Sequence, residues 1–155
     1  MTKTLIILFG VIMFSGSITA EAQKLSGNTS RTWEISSSAF LSLREGGRSF
    51  SLDSKGNLVK RRKNIETKEM VKAEALVEIV GLLQELNLSR TITKTVKGKR
   101  IYDYPYWNFT IVLDGKDFLM EGLSFGDAKF TVLTEKQKQT FAKLKEKLSE
   151  VGAVR

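Results

Sequence analysis

Residues 106–121 carry the pattern that constrains the fold most. Apolar and polar residues alternate up to Asp114-Gly115 and continue to alternate after it. An Asp-Gly pair between two such runs favours a type I′ hairpin turn. Closure by this turn predicts three cross-strand pairs: Leu113 with Lys116, Ile111 with Phe118, and Phe109 with Met120. One face of the hairpin is apolar and must be covered, which predicts that helices pack on it.

The two faces of this hairpin differ in composition. The apolar face carries Trp107, Phe109, Ile111, Leu113, Phe118 and Met120. The other face carries Asn108, Thr110, Val112, Asp117, Leu119 and Glu121.

The segment before residue 63 predicts a meander of short antiparallel strands. Thr32 to Ile35 alternates briefly, and Phe40 to Arg44, Ser49 to Asp53 and Leu58 to Arg62 form better strand candidates. Glycine pairs and turn residues separate these runs, and glycine adopts positive φ at little steric cost.

Two segments have helical periodicity instead. Between Thr67 and Leu88, apolar residues recur every three or four positions, with Thr67 as the predicted N-cap. Thr134 to Gln137 matches a capping box, and the helix it opens continues through Val151.

Two connecting stretches complete the chain. Arg90 to Asp103 is polar and basic, which is compatible with an exposed edge strand or a long loop. The stretch between the hairpin and the last helix is predicted to be a connection with Phe125, Phe130 and Val132 pointing inward. The predicted fold is therefore α+β, an antiparallel sheet of about five strands with two main helices packed on one face.

The N-terminus has the features of an export signal. Lys3 precedes an apolar run, and Ala20-Glu21-Ala22 supplies small residues for cleavage. We expect residues 1–22 to be a signal peptide, 23–31 a flexible leader and 32–155 a single domain. Cleavage after Ala20 and an uncleaved membrane anchor are the alternatives. The predicted location is periplasmic or secreted, in a bacterium rather than a eukaryote.

The chain contains no cysteine and no histidine. Disulfides, thiol catalysis and the common histidine-based catalytic and metal-binding schemes are therefore excluded. Carboxylates remain as candidate acids and bases, but the sequence places no two of them together in an apolar environment that would separate their pKa values. We expect no cofactor, no metal site and no enzymatic activity.

Basic residues give the chain a formal net charge of +8. Arg61 and Lys63 lie in one basic run, and Lys97 and Arg100 lie in another. Together they could bind an anionic polymer or lipid, because contacts to phosphate need only positive charge. Alternatively, they protect edge strands from pairing with other chains. Nucleic acid is not an expected partner of an exported protein.

Aromatic residues are densest between residues 102 and 109. Tyr104 and Tyr106 share one face of an extended segment, and Tyr102 precedes them at the same spacing. Exposed tyrosines make good anchors for a protein partner. The alternative is that these rings pack into the core beside a turn at Pro105.

The layout of the chain also resembles a known family. A glycine turn in Arg44 to Phe50, a second turn in Asp53 to Gly56, a leucine-rich helix, the aromatic hairpin and a closing helix resemble small bacterial proteins of the emfourin type. The resemblance covers roughly residues 40–151. It implies antiparallel strands packed on helices and inhibition of thermolysin-type metalloproteases, with no inhibitory residue matched position by position.

The sequence leaves three functions open. The first is an exported binding protein, inhibitor-like, that uses Tyr102, Tyr104, Tyr106 and the basic residues to engage another protein. The second is an envelope-associated module that holds anionic polymer or lipid, and the third is a carboxylate-dependent hydrolase. The oligomeric state is left open.

Overall fold

The fold is an eight-stranded sheet with two helices, seen in a computed structural model that describes residues 31–42, 46–98, 106–123 and 126–153. The predicted signal peptide and almost all of the predicted leader lie outside these residues. The elements in chain order are β1 (Trp33–Ser42), β2 (Gly46–Asp53), β3 (Asn57–Arg62), β4 (Ile65–Met70), α1 (Ala73–Leu86), a 3₁₀ turn (Leu88–Arg90), β5 (Ile92–Val96), β6 (Tyr106–Leu113), β7 (Lys116–Leu123), β8 (Ala128–Val132) and α2 (Glu135–Glu150).

The strands lie in the order β4-β3-β2-β1-β6-β7-β8-β5. Neighbouring strands are antiparallel, except that β7 and β8 are parallel and pair through Leu119 and Phe130. The α+β class is as predicted. The predicted antiparallel sheet of about five strands is wrong, because the sheet is mixed and has eight strands.

The two predicted strands at the start of the domain are one continuous strand, β1. Three further strands, β4, β5 and β8, account for the difference in strand number. All six residues of β4 are exposed, so neither of its faces shows an apolar alternation, and the sequence predicts a helix start at Thr67 instead. The helix begins only at Ala73, and its N-cap, Lys72, makes no side-chain capping hydrogen bond.

Strands β5 and β8 are the other additions. The sequence allows an edge strand or a loop for the segment containing β5, and it is an edge strand over Ile92–Val96. The segment containing β8 is a strand rather than the predicted connection. In β8 the buried residue is Thr131, whereas Val132 is exposed and Phe130 only partly buried. Phe125 lies outside the described residues.

The β6–β7 hairpin forms with the predicted turn, Asp114 and Gly115 having φ angles of 50° and 76°. The register is as predicted near this turn but shifts further along, where Phe109 pairs with Glu121 instead of Met120. One extra residue in β7 makes a bulge there. The bulge turns Glu121 to the helix side, where it accepts a hydrogen bond from Lys145 at 2.8 Å.

One hydrophobic core lies between the helices and one face of the sheet. Ile35 and Ile111 contribute fully buried side chains from the sheet, and Leu144 and Leu148 contribute them from α2. The predicted capping box at Thr134 and Gln137 is present. The Gln137 amide also donates to the Leu86 carbonyl at 2.7 Å, which ties the start of α2 to the end of α1.

Candidate functional site

The helices pack on one face of the sheet, and in the described part of the chain the opposite face is left uncovered. Strand register identifies its residues, because directly paired residues point to the same side. One row of side chains crosses the face from β4 to β5: Lys68, Val59, Ser51, Ser36, Thr110, Leu119, Phe130 and Lys94. Serine and threonine occupy the middle of this row, and apolar residues lie towards β5.

The β6–β7–β8–β5 side of this face carries an apolar group that we call the open-face cluster. It comprises Ile92, Val96, Tyr106, Leu119, Phe130 and Val132. Four of these side chains are substantially exposed: Ile92 at 72%, Val96 at 44%, Val132 at 40% and Tyr106 at 36%. Single exposed apolar residues are normal on a protein surface, whereas a contiguous group marks a surface that another molecule covers.

A shallow depression of about 220 Å³ runs through the cluster between Tyr106, Leu119 and Phe130. Gly122 lines it, and a Cβ atom there would lie 2.5 Å from the Trp107 carbonyl oxygen. The position therefore needs glycine, because β6 and β7 approach closely at this point.

Asn108 also lines the depression and is held by hydrogen bonds to β1. Its side-chain oxygen accepts from the Ser38 amide at 3.1 Å and from the Ser38 hydroxyl at 2.9 Å. Its backbone carbonyl accepts from the Ser37 hydroxyl at 2.7 Å. These contacts fix the floor of the depression in position.

Three basic side chains at the β4 edge pair with neighbouring glutamates. Arg61 pairs with Glu66 at 2.6 Å, Lys68 pairs with Glu66 at 3.2 Å, and Lys60 pairs with Glu69 at 2.6 Å. Hydrogen bonds from Arg61 and then from Lys68 lower the pKa of Glu66 below its usual value. This edge therefore offers less free positive charge than its sequence suggests.

The β5 edge has the opposite character. Lys94 in β5, Lys97 just after it and Lys129 in β8 are all exposed. Within the described ranges, none of the three takes part in an ion pair. Their positive charge is available to an acidic partner.

The predicted binding residues do not come together on one surface as far as they are described. Lys63 lies in the β3–β4 turn with a φ of 56° and, like Arg61, is near one edge of the sheet. Lys97 lies at the opposite edge, six strands from β3. At about 4.8 Å per strand, this separation is roughly 29 Å along the sheet. Tyr106 is on the open face, and Tyr102, Tyr104 and Arg100 lie outside the described residues.

Sequence reasoning missed most of the open-face cluster. Ile92, Lys94 and Val96 alternate with threonines, and this pattern is the signal that could have marked β5 as a strand with an apolar face. The positions of Leu119 and Phe130 side by side depend on the strand order, which the sequence does not state.

Acidic residues do not form a catalytic or metal-binding group in the described part of the chain. Glu121 pairs with Lys145, and Asp114 lies 3.6 Å from Arg31. No three potential metal ligands among the described residues converge on one point. A groove of about 390 Å³ between α1 and α2 contains Lys147, but hydrogen bonds from this lysine to Glu150 and then to Glu78 raise its pKa.

Comparison with known proteins adds no identity. No protein-family model matches this chain. No curated protein matches it. The resemblance to emfourin-type proteins therefore stays a prediction. Neither helix among the described residues combines the length and apolarity needed to cross a membrane.

Proposed function

We propose that this protein is a non-catalytic binding protein that engages another protein through the open-face cluster. The observation that carries the proposal is the exposure of Ile92, Val96 and Val132 on β5 and β8, beside a shallow depression that the exposed Tyr106 lines. Burying such a surface against a partner removes apolar area from water, at about 25 cal/mol per Å² of apolar surface. The N-terminal features support the further proposal that the protein acts after export.

An extracellular or periplasmic protease is one partner class that fits this proposal, given the emfourin-like layout. The order of elements and the turns support this partner class. The competing proposal, retention of anionic polymer or lipid, draws on the net charge of +8. It is the weaker of the two, because Lys60 and Arg61 in the basic run of β3 are paired to glutamates on β4.

The experiment is affinity capture from extracts of the producing organism, with washes at low and then high salt. Val132→Glu is the test variant, and Val77→Glu is its control, because Val77 is 42% exposed on α1, away from the open face. We expect one protein partner that survives high salt, is lost with Val132→Glu and is retained with Val77→Glu. Apolar contacts resist screening by salt, whereas exposed charge contacts do not.

The opposite outcome is also well defined. Capture of only anionic material that elutes at high salt, equally with both variants, would refute the proposal. Retention of anionic vesicles or heparin with a steep salt dependence would then favour the charged-surface function.

A further inference from the structure

We propose that β5 is the docking edge for an extended segment of the partner protein, which adds to the sheet as a ninth strand and carries an acidic residue opposite Lys94. The inference rests on the proposed function and deepens it by naming how the partner binds. It starts from the position of β5, which among the described strands pairs with β8 alone and is exposed along its whole length. An edge strand presents unpaired N–H and C=O groups that a peptide strand can bind.

Contacts at both ends hold β5 in place. Before the strand, the Thr91 hydroxyl donates to the Leu88 carbonyl at 2.7 Å. After it, the Gly98 amide donates to Asp127 at 3.3 Å, and a Cβ atom on Gly98 would clash with the Gly126 carbonyl oxygen. A strand fixed in this way loses little conformational entropy when a peptide binds, which favours association.

The side chains of β5 define which peptide fits. Ile92, Lys94 and Val96 point to the open face, since they pair with Val132, Phe130 and Ala128 of β8. Opposite-charge and apolar cross-strand pairs stabilise neighbouring strands. The complementary segment therefore has apolar, acidic and apolar residues at alternate positions, with its two apolar side chains extending the open-face cluster.

A second copy of this chain does not fit the same edge. Lys94 is the middle residue of the five in β5. Antiparallel pairing of two β5 strands with full overlap would therefore place Lys94 opposite its own copy. Like charges directly opposite each other destabilise a strand pair. A lysine at this position thus disfavours self-association and favours an acidic partner.

The other free edge of the sheet is a poorer docking site. Strand β4 carries Glu66, Lys68 and Glu69, and both glutamates form ion pairs with basic residues. These charges are already satisfied, and an added strand would have to compete with them. Lys94 has no such partner among the described residues, so an incoming carboxylate gains an ion pair without breaking one.

The test uses the full mature chain and a short capped peptide with the core Val-Thr-Glu-Thr-Val. A peptide with lysine in place of glutamate is the control. Amide hydrogen exchange is followed across Ile92–Val96 by nuclear magnetic resonance at millimolar peptide. We expect the glutamate peptide to slow exchange at every second amide of β5, because alternate residues of an edge strand direct their N–H groups away from the sheet.

Reversal of charge supplies the second measurement. Lys94→Glu is expected to weaken the glutamate peptide about fivefold and to reverse the preference between the two peptides. Lys68→Glu on β4 is the control. It changes the net charge of the protein by the same amount, and we expect it to leave the preference between the glutamate peptide and the lysine peptide unchanged.

Several results would overturn strand addition. The first is that the amides of β5 gain no protection from exchange at millimolar glutamate peptide. The second is equal affinity of the chain for the two peptides, and the third is a dimer of the chain that forms through β5. Loss of the captured partner with Val132→Glu, together with unprotected β5 amides, would leave the proposed function standing and refute only this inference. Partner capture that is insensitive to Val132→Glu would refute the proposed function itself.

Discussion

Adding one methyl group at two different glycines should change stability in opposite directions. At Gly122, a Cβ atom would meet the Trp107 carbonyl oxygen at 2.5 Å and the Asn108 Cα at 3.1 Å, both backbone atoms of the paired strand. Such a contact can be relieved only if β6 and β7 move apart, and overpacking of this kind costs about 1–3 kcal/mol. We therefore expect Gly122→Ala to lower the free energy of unfolding by that amount.

Gly81 is the matched control because it lies in the exposed middle of α1, where an added Cβ atom would have no neighbour within 4 Å. Alanine there restricts the unfolded chain and improves helix propensity, which stabilises by about 0.5–1 kcal/mol. The two variants should therefore differ by roughly 1.5–4 kcal/mol.

Urea unfolding followed by circular dichroism measures this difference, with the midpoint interpreted at constant slope. A Gly122→Ala protein as stable as the wild type would refute the close approach of β6 and β7 at this point. Destabilisation by Gly81→Ala would show that α1 is not an exposed regular helix around that residue.

Three further predictions concern single polar side chains. Thr131→Val should stabilise the protein by about 1 kcal/mol, because the buried Thr131 hydroxyl has no hydrogen-bond partner in the described residues. Thr91→Val should instead destabilise the protein, because it loses the hydrogen bond to the Leu88 carbonyl. A shift of the thermal midpoint in the same direction for both variants would contradict this prediction. Thr134→Ala should lower the free energy of unfolding by about 1 kcal/mol through loss of the α2 capping box, with Lys136→Ala in the first turn as a neutral control. Burial alone would raise the pKa of Asp53, but hydrogen bonds from the side chain and amide of Asn57 and from the Lys55 amide outweigh it and lower the pKa below 3.8. The ionised Asp53 carboxylate therefore stabilises the folded protein fully above pH 3.8, and this stabilisation is lost as the pH falls through the lower pKa of the folded state. Asp53→Asn should therefore flatten the acid side of a plot of urea midpoint against pH. An unchanged plot would contradict the lowered pKa of Asp53.

The sequence predicted local structure correctly where a few adjacent residues determine it. The Asp114-Gly115 turn and the capping box at Thr134 depend only on their own backbone geometry and near neighbours. The fold class followed from the same patterns, since an apolar strand face needs a helix layer to cover it. These predictions were confirmed.

Features that depend on distant segments were not readable. Strand β4 lies at an edge with both faces exposed, so burial imposes no alternation on it. The bulge that turns Glu121 towards Lys145 has no signature in the hairpin sequence. For the candidate site, Tyr106 was identified, but the open-face cluster was not, because the strand order that brings Leu119 beside Phe130 is a property of the whole sheet.

The strand order also bears on how the sheet assembles. Strands β1 to β4 lie beside their chain neighbours, so their contacts close short loops. Strand β5 is different: it follows β4 in the chain, with α1 between them, yet it lies at the far edge and reaches the sheet only through β8. The β1–β6 pairing closes a longer loop than the β5–β8 pairing does, so the place of β5 in assembly follows from the strand order and not from loop length. Because β5 reaches the sheet only through β8, we expect it to join only after β8 has paired with β7, so its outer edge becomes available once that half of the sheet is complete.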